Sequence, residues 1–301
     1  MSAPVFVLTP DTLEPAGGAQ TARRGGTLTL TGPEAHHAVA VRRLRPGERV
    51  DLVDGAGVRL VCEVAEGGRP DRLGVRVVER VVETPPPLRL ALVQALAKGG
   101  RDEQAVQTAT EVGVEVVVPW QAERCVPVWR GPRAVRGRDR WQATAREAAK
   151  QARRARVPQV DQVRTTRDLA GWTGEVVAAG GLVLVLHEAA TAPIGGVGLP
   201  RPGPHRPVVA VVVGPEGGMS ETETTALRDA GALVVRLGPH VLRTASAGPV
   251  ALAVLAQRGC GHDPPGTAPR GQPRCPRGHP GGRPCRLRPG GLPRLPARRG
   301  P

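Results

Sequence analysis

Aromatic side chains are nearly missing from this chain: there is no tyrosine, one phenylalanine (Phe6) and four tryptophans among 301 residues. The core must therefore be built from Val, Leu and Ala, which supply enough apolar area when a chain is long. Long apolar runs are missing as well. None reaches the roughly 18 residues needed to cross a bilayer, so no membrane partner is expected. The opening MSAPVFVLTPD has neither the charged region nor the apolar stretch of a secretory signal. Five cysteines form an odd set without regular pairing, which fits a reducing compartment and points to the cytoplasm. Cys260, Cys275 and Cys285 lie near His262 and His279, but no C-x₂-C or H-x₃-H spacing links them, so no metal is expected. Neither G-x-G-x-x-G nor a P-loop lysine occurs, which argues against a nucleotide-hydrolysing enzyme.

Acidic residues are the scarcer sign, 27 against 42 Lys and Arg, for a net charge of +15. From Arg258 onward ten Arg face one Asp, which accounts for +9 and leaves +6 for residues 1–257. A moderately basic folded part permits a polyanionic partner such as RNA, held by phosphate contacts and counterion release.

Three segments differ in rhythm. Residues 1–83 alternate over Thr27–Thr31, Arg49–Val53 and Val58–Val64, followed by a Val-rich run at Leu73–Val82. Turn signals at Pro46-Gly47, Asp54-Gly55 and Gly67-Gly68 separate these runs, and a short helix is expected at Pro33–Arg43. A small β-barrel would hide so many short strand edges. Pro85-Pro86-Pro87 is a stiff linker and sets the domain boundary.

Residues 84–257 read as an α/β domain. Strands are expected at Leu88–Leu96, Val114–Pro119, Leu182–Leu186, Val208–Val213 and Leu233–Leu237, and helices at Asp102–Val112 and Asp139–Ala155. Continuous apolar strands of this kind suit a parallel sheet covered on both faces. Ser220 and Glu223 have capping-box spacing for a helix that runs to Ala230 and stops at Gly231. Pro249–Leu255 is apolar all round and should be a buried helix. Residues 258–301 hold eleven Pro and ten Gly, too little apolar surface to offset ordering, and disorder is expected there.

Three strand exits carry polar or glycine-rich residues. They are His187-Glu188 after Leu186, then Gly214-Pro215-Glu216-Gly217-Gly218, then Leu237-Gly238 leading to Leu242-Arg243-Thr244 and Ser246. Ligands of open α/β sheets sit outside the carboxyl ends of the strands, so the three exits are expected to form one pocket. Thr244 or Ser246 would cap the following helix; capping does not account for Arg243, whose burial there would be costly without a partner.

The order L-H-E-A at Leu186–Ala189, G-P-E-G-G at Gly214–Gly218 and L-G-x-x-x-L-R-T at Leu237–Thr244 resembles the knotted, SPOUT-type methyltransferases. More narrowly it is similar to the ribosomal small subunit methyltransferase E family, which methylates N3 of uridine 1498 in 16S rRNA. His36-His37, Arg42-Arg43, Pro46-Gly47-Glu48 and Asp54-Gly55-Ala56-Gly57 resemble that family's PUA-like barrel. Lys98-Gly99, Thr110–Gly113, Arg140-Trp141, Glu147–Gln151 and Arg154 with Val157-Pro158 match further stretches, and the likeness covers residues 1–257. One departure stands out: Ala245 occupies a place where the family usually has an acid, and the tail after residue 257 has no counterpart.

The resemblance implies a trefoil-knot α/β domain behind a PUA-like barrel, a homodimer, and S-adenosylmethionine held by His187, Glu188, Gly214, Pro215, Glu216, Gly217, Gly218, Leu237, Gly238, Leu242, Thr244 and Ser246. Uracil N3 is a poor nucleophile until its proton leaves, and a guanidinium would stabilise the charge that then spreads to the ring oxygens. Arg243 is the candidate for that role, and His187 is a candidate base. Arg42, Arg43, Lys98, Arg101, Arg140, Lys150, Arg153 and Arg154 are candidate contacts to the phosphates of small-subunit rRNA; Trp141 is expected to pack rather than to stack on a base. Two rivals remain: an open Rossmann-type methyltransferase, disfavoured because the glycine motifs come late, and a non-catalytic RNA-binding or ribosome-assembly protein, motivated by Ala245.

Overall fold

The computed structural model describes residues 3–9, 11–65, 69, 71–203 and 205–259. The turn expected at Gly67-Gly68, the cysteines and histidines from Cys260 onward, and the tail from residue 260 lie outside the described residues.

The first sheet takes β1 (Val5–Val7), β2 (Leu13–Glu14), β3 (Thr27–Thr31), β4 (Arg49–Val53), β5 (Val58–Val64) and β6 (Arg72–Val82). Two short helices accompany it, α1 (Gly18–Thr21) and α2 (Gly32–His36), the latter running on into a π-helical turn at His37–Val41. The strand order is β1-β4-β5-β6-β3-β2, antiparallel except for β1 beside β4. Alternation points Leu28 and Leu30, Val50 and Leu52, Leu60 and Cys62, and Leu73 and Val75 to one side, where they share a core with Phe6 and Leu13. Residues of the two end strands meet in that core, so the sheet curls on itself as a barrel does. The Asp54-Gly55 turn forms as expected, with Asp54 Oδ1 accepting from the N–H groups of Ala56, Gly57 and Val58 at 2.8–2.9 Å.

The second sheet is parallel throughout, in the order β10-β8-β7-β12-β11-β13 with β9 also beside β8. Its strands are β7 (Arg89–Ala95), β8 (Val116–Gln121), β9 (Gln159–Val160), β10 (Arg164–Thr165), β11 (Leu182–Leu186), β12 (Val208–Val213) and β13 (Leu233–Val235). The helices are α3 (Arg101–Val112), α4 (Pro132–Gln151), α5 (Thr166–Ala178), α6 (Glu221–Asp229) and α7 (Thr244–Gly259). Leu90 and Leu92 of β7 face a core shared with α3, α4 and α7, whereas Ala91 and Val93 face one shared with α5 and α6. Both faces are covered, which is why these strands read as unbroken apolar runs.

Several elements differ from expectation; α4 ends at Gln151 rather than Ala155 and β13 at Val235 rather than Leu237. The first helix turns of α4 form from Pro132, seven residues early, because Pro132 sits at the helix start, where its missing N–H costs nothing. Strand β8 ends at Gln121 rather than Pro119, which pairs with Gln94 inside the strand. Helix α5 was not anticipated, although Thr165 and Asp168 cap it reciprocally. Helix α7 begins at Thr244 rather than Pro249, so the proline lies within it.

The barrel and the α/β layers pack as one unit within residues 1–262. Arg59 joins Asp51 and Glu83 at 2.8 Å each and donates to the Arg153 carbonyl at 2.7 Å. Val157 and Ala155 pack on Val5, Val7 and Val53.

Candidate active site

Strands β12, β11 and β13 are neighbours, and the loops that leave their carboxyl ends meet at one edge of the sheet. They enclose a cavity of about 770 Å³, lined by Leu186–Glu188, Val213–Met219 and Arg236–Thr244, with Arg101 and Ala247 at its sides. That volume lies in the range of small-molecule sites, roughly 300–1,000 Å³. Every candidate cofactor residue lines this cavity except Ser246, which is exposed on α7.

The loop after β12 is held from several sides. Glu216 accepts from Arg101 at 3.0 Å and from the Lys98 N–H at 3.4 Å. Burial opposes the charge on Glu216, but its own N–H, Arg101 and the Lys98 N–H outweigh it and hold the carboxyl below its ordinary value. Arg124 donates to the Gly217 carbonyl at 3.1 Å, and Thr244 Oγ1 donates to the Gly214 carbonyl at 2.9 Å. A Cβ at Gly214 would come within 2.7 Å of Met219 Cγ, so a side chain there would force Met219 to shift.

The loop after β13 is held differently. Arg236 exchanges backbone bonds with Ala192 and Ile194. Beyond it, among the described residues, no backbone N–H or carbonyl of residues 237–242 takes part in a hydrogen bond. Six residues thus present unspent backbone donors and acceptors along one wall of the cavity. Gly238 lines the cavity and has nothing within 4 Å of the place where a side chain would begin.

Arg243 lines the cavity and is exposed, and among the described residues its guanidinium has no hydrogen-bond or ion-pair partner. The expected burial cost does not arise. Nor do the hydroxyls cap α7: Thr244 reaches across to Gly214, and Ser246 makes no side-chain bond among the described residues. Ala245 is buried and does not line the cavity. His187 Nδ1 accepts from the Ala189 N–H at 3.2 Å, which leaves the proton of the neutral ring on Nε2.

The candidate RNA contacts separate into two groups. Arg42, Arg43, Lys98, Arg101, Arg140 and Arg153 are exposed, with Arg101 paired to Glu216 and Arg140 to Glu103. Lys150 and Arg154 are committed internally. Lys150 bonds Glu34 at 2.9 Å and Glu147 at 3.3 Å. Arg154 donates to the Thr110 carbonyl at 2.6 Å, and burial brings its guanidinium down to about 10. Trp141 is buried against Trp129, ring centres 5.1 Å apart, as expected of a packing residue. His36 is exposed, and His37 stands edge-on to Phe6 at 6.0 Å.

Sequence reasoning missed Gln94, Arg124 and Arg236. Gln94 is fully buried at the end of β7 and donates to Thr244 Oγ1 at 3.0 Å; its signal was a lone amide inside the apolar run Leu90–Leu96. Arg124 and Arg236 gave no signal, being charges in loops. No group of three or more metal-ligating side chains occurs among the described residues.

Comparison with known proteins agrees with this layout. Residues 84–256 match the family model of an RNA methyltransferase domain, and residues 30–71 match that of an RNA methyltransferase PUA domain. The ribosomal RNA small subunit methyltransferase E of Mycobacterium bovis is 46% identical over 233 residues, covering 77% of this chain and 86% of that protein. The enzyme of the same name from Bacillus subtilis is 28% identical over 247 residues, 76% of this chain and 90% of its own. The crystal structure of the Neisseria gonorrhoeae enzyme bound to S-adenosyl methionine superimposes with a TM-score of 0.72 at 25% identity, covering 86% of this chain and 98% of that one.

Proposed function

The chain belongs to the ribosomal RNA small subunit methyltransferase E family, and we propose from that membership that it methylates ribosomal RNA with S-adenosylmethionine, at N3 of uridine 1498 of the 16S rRNA. The observation that carries this reading is the cavity in which the three strand exits meet, one wall of which is the unspent backbone of residues 237–242. Such a wall fits an adenine edge, which needs a donor and an acceptor side by side, and Gly238 leaves room for the ring to approach. Leu186, Leu237 and Leu242 supply apolar cover.

When bound, S-adenosylmethionine supplies an electrophilic methyl group on a sulfonium sulfur. The chain's own residues position the acceptor and handle charge. Methyl transfer needs the acceptor nitrogen in line at near-attack distance, so a cavity fixed by the bonds at Gly214, Glu216 and Gly217 is the right scaffold. Arg243, which lines the cavity and has no partner among the described residues, would take the negative charge that develops on the uracil oxygens as the N3 proton leaves. Arg42, Arg43, Lys98, Arg101, Arg140 and Arg153 would meet the phosphates on either side of the base.

The domain division at residues 83 and 257, a homodimeric state and a cytoplasmic site of action belong to the same proposal; no described helix is long and apolar enough to cross a membrane. A non-catalytic reading would rest on Ala245, which is buried and is not part of the cavity lining. The test is mass spectrometry of 16S rRNA from a strain lacking this protein. The expected result is a uridine whose N3 methyl is lost and then restored by the wild-type gene. An unchanged modification pattern would reject the assignment.

A further inference from the structure

Gln94 is a fully buried amide in β7, where every residue from Leu90 to Ala95 but itself is apolar. A Leu or Met would fill the same space without the cost of desolvating an amide, and that cost is only partly recovered. Gln94 Nε2 donates to the Ala95 carbonyl at 3.1 Å and to Thr244 Oγ1 at 3.0 Å, while Oε1 is buried without a partner among the described residues. The orientation of the amide is not arbitrary. The Ala95 carbonyl only accepts, so the nitrogen must face it, and the second N–H is then aimed at Thr244.

Thr244 Oγ1 completes a directed chain. It accepts from Gln94 with one of its two lone pairs, and its single proton goes to the Gly214 carbonyl, which can only accept, at 2.9 Å. Without the Gln94 N–H, that hydroxyl is free to rotate toward its own backbone. Gln94 lies opposite Val213 in the β7–β12 register, immediately before Gly214. The relay therefore ties three elements at one point: the end of β7, the first residue of the glycine-rich exit, and the first residue of α7, which follows Arg243.

We propose that Gln94 is a positioning residue for the methyl transfer, acting through Thr244 to fix the glycine-rich exit relative to Arg243. The inference rests on the proposed function. It assigns Gln94 no contact with substrate or cofactor; its effect is on the distance between the wall that holds the cofactor and the guanidinium that meets the base.

The test compares Gln94→Met, which keeps volume and removes the donor, with Thr244→Val and Thr244→Ser in the full-length protein. Turnover, cofactor affinity by calorimetry, RNA affinity and thermal midpoint are measured for each. Gln94→Met is expected to lower kcat about tenfold or more, as small misplacements do, with RNA affinity unchanged. Thr244→Val is expected to lose as much turnover as Gln94→Met, and Thr244→Ser, which keeps the hydroxyl, to lose less than Thr244→Val. The double variant Gln94→Met, Thr244→Val is expected to be no worse than either single one, because both cut the same relay. Additive losses, or a Gln94→Met protein that melts lower yet turns over normally, would overturn the proposal. If Gln94→Met does not fold, the Thr244→Val and Thr244→Ser pair decides it: equal turnover in the two rejects the relay. A wild-type protein that transfers no methyl group would instead defeat the functional reading.

Discussion

Two loops share one cavity and are built on opposite plans. The exit of β12, Gly214–Met219, is bonded internally at Gly214, Glu216 and Gly217. The exit of β13, residues 237–242, has no internal backbone bond among the described residues. Backbone polar groups in folded proteins are nearly always paired, with protein or with water. In the first loop the Gly214, Pro215 and Gly217 carbonyls and the Gly218 N–H find partners within the protein, which makes it the more fixed wall; the second leaves its backbone groups to water or a ligand, and in the proposed function it would be the reading edge. Glycine follows the same division. Gly214 is packed against the protein, where a Cβ would lie 2.7 Å from Met219 Cγ, whereas a Cβ at Gly238 would meet nothing within 4 Å.

The contrast can be broken at either loop. The largest effect is expected next to the reading edge: Arg243→Ala should lower turnover by about 10²–10³, the range for removing one charge-stabilising donor. Cofactor affinity should stay within about twofold, because the transition state and not the ground state uses the guanidinium. Radiolabelled transfer beside calorimetry separates the two.

Gly238→Val should weaken cofactor binding about tenfold with an unchanged thermal midpoint, since a small steric intrusion in a pocket costs about 1–3 kcal/mol. Gly248→Val is its counterpart in the scaffold. A side chain there meets Leu92 at 2.6 Å, so about 1–3 kcal/mol of stability should be lost to overpacking, read from denaturant midpoints. Similar melting of the two variants would erase the distinction between ligand-facing and protein-facing glycines.

A smaller change is expected from the strap on the wall. Glu216→Gln should loosen the β12 exit and weaken cofactor binding about threefold, close to the range of an exposed ion pair. Its pH dependence has a definite sign. The folded state holds the Glu216 carboxyl below its ordinary value, so the strap's contribution is present above that value and disappears as pH falls through the depressed one. A wild-type advantage over Glu216→Gln that persisted in strong acid would contradict the strap. The smallest effect belongs to the RNA surface, where Arg42→Ala should reduce the salt slope of rRNA binding by about one unit.

Much of this was legible because it depends on local chemistry. The capping box at Ser220 and Glu223 forms as spaced, the apolar strands β11 and β12 fall where branched residues cluster, and the polar exits converge because parallel strands end on one side. What stayed hidden depends on distant partners. Lys150 and Arg154 read as surface cations until Glu34 and the Thr110 carbonyl meet them. Thr244 reads as a helix cap until Gly214, thirty residues earlier, takes its proton. The start of α4 lies in an arginine-rich stretch with little apolar periodicity, and Pro249 inside α7 carries the local signal of a helix start.

The most direct test is calorimetry of S-adenosylmethionine with the wild-type protein and Gly238→Val, followed by labelled methyl transfer from each to small subunits that lack the modification. A single saturable site in the wild type, weakened by Val at 238 and coupled to label on a uridine N3, is the predicted result. Equal binding by both proteins, or label absent from the rRNA, would contradict it.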